Sequence, residues 1–193
     1  MLVFFRFFFV GLLLLISGGS IAYEMSEEEH SEIRDFLRES LSEEYSFSDR
    51  FDAEVWLLSQ STKLKRYIKD EKKRIHLLRN IHLEATRAKL NPDIVLAVIQ
   101  VESAFDSYAV SSAGAQGLMQ VMPFWRKEIG RDDDNLTAPL TNLRYGSRIL
   151  QIYLQREKGN LMMALARYNG SYPKTWYSER VMDAWKNRWD SGQ

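Results

Sequence analysis

Glu102 is the residue best placed to do acid chemistry. It stands at the end of an apolar run, Ile94, Val95, Leu96, Ala97, Val98 and Ile99, and just before a Gly- and Ser-rich stretch over residues 111–120. At helical spacing it lies three and four residues after Ile99 and Val98 and seven after Val95, so it shares a face with apolar neighbours. A carboxyl in that place is poorly solvated. Desolvation and the negative end of the helix dipole both disfavour the charged form, so the sequence predicts a raised pKa. A general acid needs such a shift near neutral pH. An arbitrary Glu at a helix end more often turns into water, because Glu is seldom buried, so what surrounds Glu102 has to decide.

The element that carries it begins at Asn91, an N-cap residue, with Pro92 at the first helical position and Asp93 in the first turn. So many β-branched residues could also form a strand. The capping signal and the length of the run decide for a helix, and a helix apolar on all sides belongs at the centre of the domain.

Three short patterns follow in order: Glu102-Ser103, then S-x-x-G-A-x-G-L-M-Q from Ser111 to Gln120, then A-x-Y-N from Ala166 to Asn169. Asn142 and Gly146 add an N-x-x-x-G between them. Taken together, over about residues 88 to 190, they resemble the soluble lytic transglycosylase (SLT) family. The resemblance implies a mainly α, goose-lysozyme-like catalytic domain of the α+β lysozyme superfamily, with peptidoglycan glycan strands as the partner. Its implied roles are Glu102 as the catalytic residue, Ser111 and Gln120 as polar contacts to the N-acetyl group and the reacting sugar, and Met122 as a subsite wall. Tyr168 becomes a hydroxyl beside Glu102, Asn169 a further substrate contact, and Gly114 and Gly117 let the loop backbone approach the glycan. The chain departs from many relatives in Arg167 before Tyr168 and in Gly170-Ser171 after Asn169.

Ordinary glycosidases need two carboxyl groups flanking the bond, and this motif set offers one. Asp106, four residues on, falls past the helix end and is not recruited. The resemblance implies that the substrate supplies the missing nucleophile. Glu102 protonates the β-1,4 glycosidic oxygen between N-acetylmuramic acid and N-acetylglucosamine while the N-acetyl oxygen stabilises the anomeric carbon. As a carboxylate, Glu102 then takes the proton of the muramoyl C6 hydroxyl, and a 1,6-anhydro end closes without water, which makes the enzyme a lyase. A goose-type hydrolase using the same acid with water, and a non-catalytic peptidoglycan-binding protein, stay open.

The chain has 193 residues, with 26 basic and 26 acidic side chains and no Cys. That excludes disulfides and a lipid-modified N-terminal cysteine, and no nucleic-acid partner is expected. There is no HExxH, no Gly-rich phosphate loop followed by Lys and no GxSxG, so neither a metal nor a cofactor is expected. Residues 2–16 are apolar apart from Arg6 and Gly11, and Ser20 and Ala22 follow. Residues 1–22 therefore read as a secretory signal cut after Ala22, or as an uncleaved membrane anchor. Either way the remainder is exported, to the periplasm.

Residues 24–54 hold twelve acidic side chains and residues 63–89 ten basic ones. With apolar positions near helical spacing, residues 26–89 read as a helical hairpin packed on the catalytic domain, and the domain bounds are set at 23–87 for the helical extension and 88–193 for the catalytic domain. Beyond Pro123 the expected helices are 124–129 ended by Gly130, 142–158 capped by Asn142, 161–168 capped by Asn160, and about 175–189. Val181, Trp185 and Trp189 form a four-residue stripe on the last, read as core.

Overall fold

The structure, a computed structural model, describes residues 50–192. The expected signal or anchor over 1–22 and the acidic stretch up to residue 49 lie outside the described residues. Among these residues the fold is almost entirely helical: α1 Arg50–Leu64, α2 Glu71–Arg87, α3 Pro92–Ser103, α4 Trp125–Ile129, α5 Pro139–Arg156, α6 Leu161–Asn169 and α7 Trp176–Ala184, which runs into a π-helical turn, Trp185–Trp189. The β component consists, among the described residues, of two isolated antiparallel bridges, Val110 with Gln116 and Gln116 with Val121.

α3 is the buried axis. Asn91 caps it by accepting from the Asp93 amide at 2.7 Å, and every residue from Asp93 to Ile99 is buried. α2, α7 and the π turn pack around it. α1 turns Ala53, Trp56, Leu57 and Leu64 inward and leaves Val55 and Leu58 exposed, so the continuous run Val55 to Leu58 is split between two faces of one helix. α1 and α2 pack on each other as a helical pair, and α2 also packs on α3 and α5. The boundary expected at residues 87 and 88 falls in the short link between α2 and α3, and Ile75, Leu78 and Ile81 of α2 are as buried as the core of α3.

Asp93 fixes this packing. Its buried carboxylate accepts from Trp56 Nε1 (2.9 Å) and Gln60 Nε2 (2.8 Å) on α1, and from the amide (2.9 Å) and hydroxyl (2.6 Å) of Ser191. One first-turn acid thus ties the first described helix and the C-terminal segment to the central one, while its charge favours the N-terminus of α3.

α3 stops abruptly. Ala104 and Phe105 both take the left-handed backbone region, with φ of 48° and 68°. This folds Phe105 back into the core, where its ring lies 4.9 Å from that of Tyr67 and 5.3 Å from that of Trp189. Of the aromatic stripe, Val181 and Trp189 are fully buried, as core, and Trp185 is half-buried.

α5 begins at Pro139, three residues before its expected start, because Pro fits the first helical position. Asn142 is therefore no cap: it is a buried residue in the second turn, with a different task described below.

Replacing Asp93 with Ala removes the acceptor of four hydrogen bonds, two of them fully buried, and is expected to cost about 3 kcal/mol or more of unfolding free energy. Urea denaturation monitored by tryptophan fluorescence checks this, and a loss below about 1 kcal/mol would show that the carboxylate does not hold α1 and the C-terminus in place.

Candidate active site

Glu102 emerges in the last turn of α3, half-buried, where the helix leaves the core. Tyr177, on α7, donates its hydroxyl to Glu102 Oε1 at 2.5 Å. Burial raises the Glu102 pKa, while the Tyr177 hydrogen bond and then the positive charge of Arg180 pull it down. The balance is a carboxyl raised to about 6. The expected upward shift is present, and its cause is desolvation.

The Gly- and Ser-rich loop is brought to this acid by the side chains around it. Ser103, next to Glu102, donates its hydroxyl to the Leu118 carbonyl at 2.7 Å. Tyr168, at the end of α6, donates to the Met119 carbonyl at 2.7 Å. Asn142 Oδ1 accepts from the Met119 amide, and its Nδ2 donates to the carbonyls of Gln116 and Leu136, all at 2.7 Å. Asn142 is thus a staple inside α5 that holds the loop by its backbone. Gly117 has a φ of 74°, and a Cβ there would press on the Asn142 amide. Its lack of a side chain permits the close approach to Asn142. Gly146 lets α5 and the loop pack closely, because a Cβ there would run into the Met119 side chain.

The structure gathers Glu102, Tyr168 and the Met119–Gln120 segment. The charge of Glu102 adds to burial in pushing the pKa of Tyr168, and of Tyr177, well above the ordinary tyrosine value, so both phenols keep their protons at any pH where Glu102 titrates. Gln120 takes a left-handed backbone (φ 48°), and its Nε2 donates to the carbonyls of Ala109 and Gly117. Ser111 sits on the far arm of the loop and accepts from the Ala115 amide at 3.0 Å. Met122 is half-buried past the Gln116–Val121 bridge, and Asn169 is exposed at the end of α6. Among the described residues no hydrogen bond joins Ser111, Gln120, Met122 or Asn169 to Glu102. Asp106 is exposed and accepts from the Tyr108 amide within its own loop.

Tyr177 and Arg180 were not expected. Tyr177 carried a signal: it extends the Val181, Trp185, Trp189 stripe one step back, which places it on the inward face. Arg180 carried none.

The family model for the transglycosylase SLT domain matches residues 79–184. The chain belongs to the transglycosylase SLT family. The mainly α architecture that the motifs implied is the one observed among the described residues. Among relatives, the transglycosylase of Enterobacteria phage PRD1 is 37% identical over 81 residues, covering 42% of this chain and 29% of the phage protein. The membrane-bound lytic murein transglycosylase C of Actinobacillus pleuropneumoniae serotype 5b is 50% identical over 48 residues, covering 25% of this chain and 12% of that protein. A solved structure of an inactive mutant of the lytic transglycosylase Slt from Pseudomonas aeruginosa matches with a TM-score of 0.45 and 30% identity, over 55% of this chain and 19% of that one. The chain spans less than a third of the length of these relatives.

In this SLT domain the Tyr177 hydroxyl favours the ionised form of Glu102, so removing it has a definite sign. Tyr177→Phe is expected to move the Glu102 pKa above about 6. A titration by NMR with 13C-labelled glutamate reads this directly, and an unchanged or lowered value would show that the hydroxyl does not act on the acid.

Proposed function

We propose that this protein is a lytic transglycosylase that cleaves the MurNAc–GlcNAc β-1,4 bond of peptidoglycan and leaves a 1,6-anhydro-MurNAc end. The observation that carries the reading is Glu102: one carboxyl, raised to about 6, facing a phenol donor and a loop held by its own backbone. A group that must give a proton and then take one works best with a pKa near the working pH. The exposed, loop-bound Asp106 is in no position to serve as a second carboxyl, which favours a route in which the substrate's C6 hydroxyl attacks. In this reading Glu102 is acid and then base, and Tyr168 and Tyr177 orient it. Ser111, Gln120, Met122 and Asn169 contact the glycan, and no metal or cofactor takes part. Residues 1–22 export the chain to the periplasm, as a cleaved signal or an anchor.

Glu102→Gln keeps an acceptor for Tyr177 but no transferable proton. It is expected to abolish release of anhydro-muropeptides from purified peptidoglycan, measured by mass spectrometry. Products heavier by one water from the wild-type chain would assign a hydrolase instead. The same variant tests the burial of the acid. A folded-state pKa raised from 4.5 to about 6 means that the native state binds the proton more tightly, so wild-type stability falls as pH rises through that window, by about 2 kcal/mol in all. Gln cannot ionise, so the variant is expected to be the more stable protein above pH 6 and close to wild type below pH 4.5.

A further inference from the structure

An open pocket of about 380 Å³ is lined by Gln100, Val101, Arg180, Asp183, Asn187 and Arg188, and so shares with the acid the cation Arg180 that acts on it. Its size falls in the lower range of small-ligand sites. α3 supplies one wall, with Val101 immediately before Glu102. α7 and the π turn supply the other, and Arg180 lies one turn beyond Tyr177. The π turn is anchored by Trp189, which is fully buried and donates through Nε1 to Gln100 Oε1 at 2.9 Å, so Gln100 and the end of the pocket are fixed to each other. Such wide turns are rare, and here one brings Asn187 and Arg188 to the pocket that Arg180 opens.

Two guanidinium groups face this space against one carboxylate, Asp183, and neither Arg180 nor Arg188 makes an ion pair within 4.0 Å among the described residues. Planar guanidinium groups suit carboxylates, and a neutral sugar ring offers them no charge. On a peptidoglycan strand the charged groups sit on the peptide stem, which hangs from the muramic ring at the bond to be cut. Resting on the function proposed above, we propose that this pocket is a subsite for a carboxylate of the peptide stem. The placement also couples binding to the acid. Tyr177 and Arg180 bear on Glu102, while Asp183 and Arg188 share the pocket with Arg180. A carboxylate seated on Arg180 offsets the cation that holds the Glu102 pKa down, and so favours the protonated acid needed to start the reaction.

The test measures binding of a free stem tetrapeptide to the full-length chain by isothermal titration. It also measures kcat/KM on glycan strands with their peptides and after an amidase has removed them. The peptide is expected to bind, and Arg188→Gln to weaken it about fivefold and to lower the preference for peptide-bearing strands by a similar factor, with Arg188→Glu lowering both further. No peptide binding, or equal losses on both strands in the variants, would overturn the subsite. Cleavage of neither strand, with peptide binding intact and sensitive to Arg188, would strike the proposed activity alone and leave the pocket assigned.

Discussion

The fold holds its candidate site through one amide. Asn142 spends its carbonyl oxygen on the Met119 amide and its nitrogen on two carbonyls, Gln116 and Leu136, and so fixes a loop that no sheet holds in register. The Met119 amide and the Leu136 carbonyl find their partner there, and the Gln116 carbonyl, which also accepts from the Val121 amide, gains a second one; a buried backbone group is costly to leave bare. The arrangement dictates its neighbours. Gly117 must lack a side chain so that the loop can touch Asn142, and Gly146 must lack one so that Met119 can lie on α5. With Met119 held, its carbonyl can receive Tyr168 from the end of α6, and the adjoining Leu118 carbonyl can receive Ser103 from the end of α3. Three helices thus meet at two consecutive peptide units.

The acid depends on the same convergence. Glu102 is pulled in two directions, upward by burial and downward by Tyr177 and Arg180, and burial outweighs the other two without cancelling them. Burial alone would leave a neutral acid slow to give up its proton. The phenol and the cation return part of what desolvation removes, and they do so from α7, a different element from the one that buries the carboxyl. The value near 6 is therefore a property of how α3 and α7 are packed. Asp93 sets that packing from the far end of α3, through α1 and Ser191, and Trp189 from the acid's own end, through Gln100.

What was legible in the chain was local. Asn91, Pro92 and Asp93 announced the central helix, Asn160 marked the start of α6, and the apolar run before Glu102 foretold a desolvated acid. Asn142 was read as a cap because an Asn near a helix start usually is one. Its true partners lie up to 26 residues away, and Pro139 had already taken the start of the helix. Asp93 was read as a first-turn acid, yet its main partners are 33 to 98 residues distant. Tyr177 could have been found by running the aromatic stripe one step further, whereas Arg180 acts through space from an exposed position that no spacing rule marks. Long-range hydrogen bonds between polar side chains and backbone leave no periodic trace.

The end of α3 shows why the acid could be so close to the core and still reach solvent. A helix this apolar would bury its whole last turn if it continued, and a gradual fraying would expose Glu102 and return its pKa to the ordinary range. Two successive left-handed residues, Ala104 and Phe105, end the helix within one residue of Ser103. Such conformations are unfavourable for residues with side chains and persist where surrounding contacts over-determine them. The contact that does so here is Phe105 itself, packed against Tyr67 and Trp189. The aromatic cluster that closes the core also cuts the helix, and the cut sets how deep the carboxyl lies. Substitutions at Phe105 would therefore reach the acid through the backbone, without any contact between the two side chains.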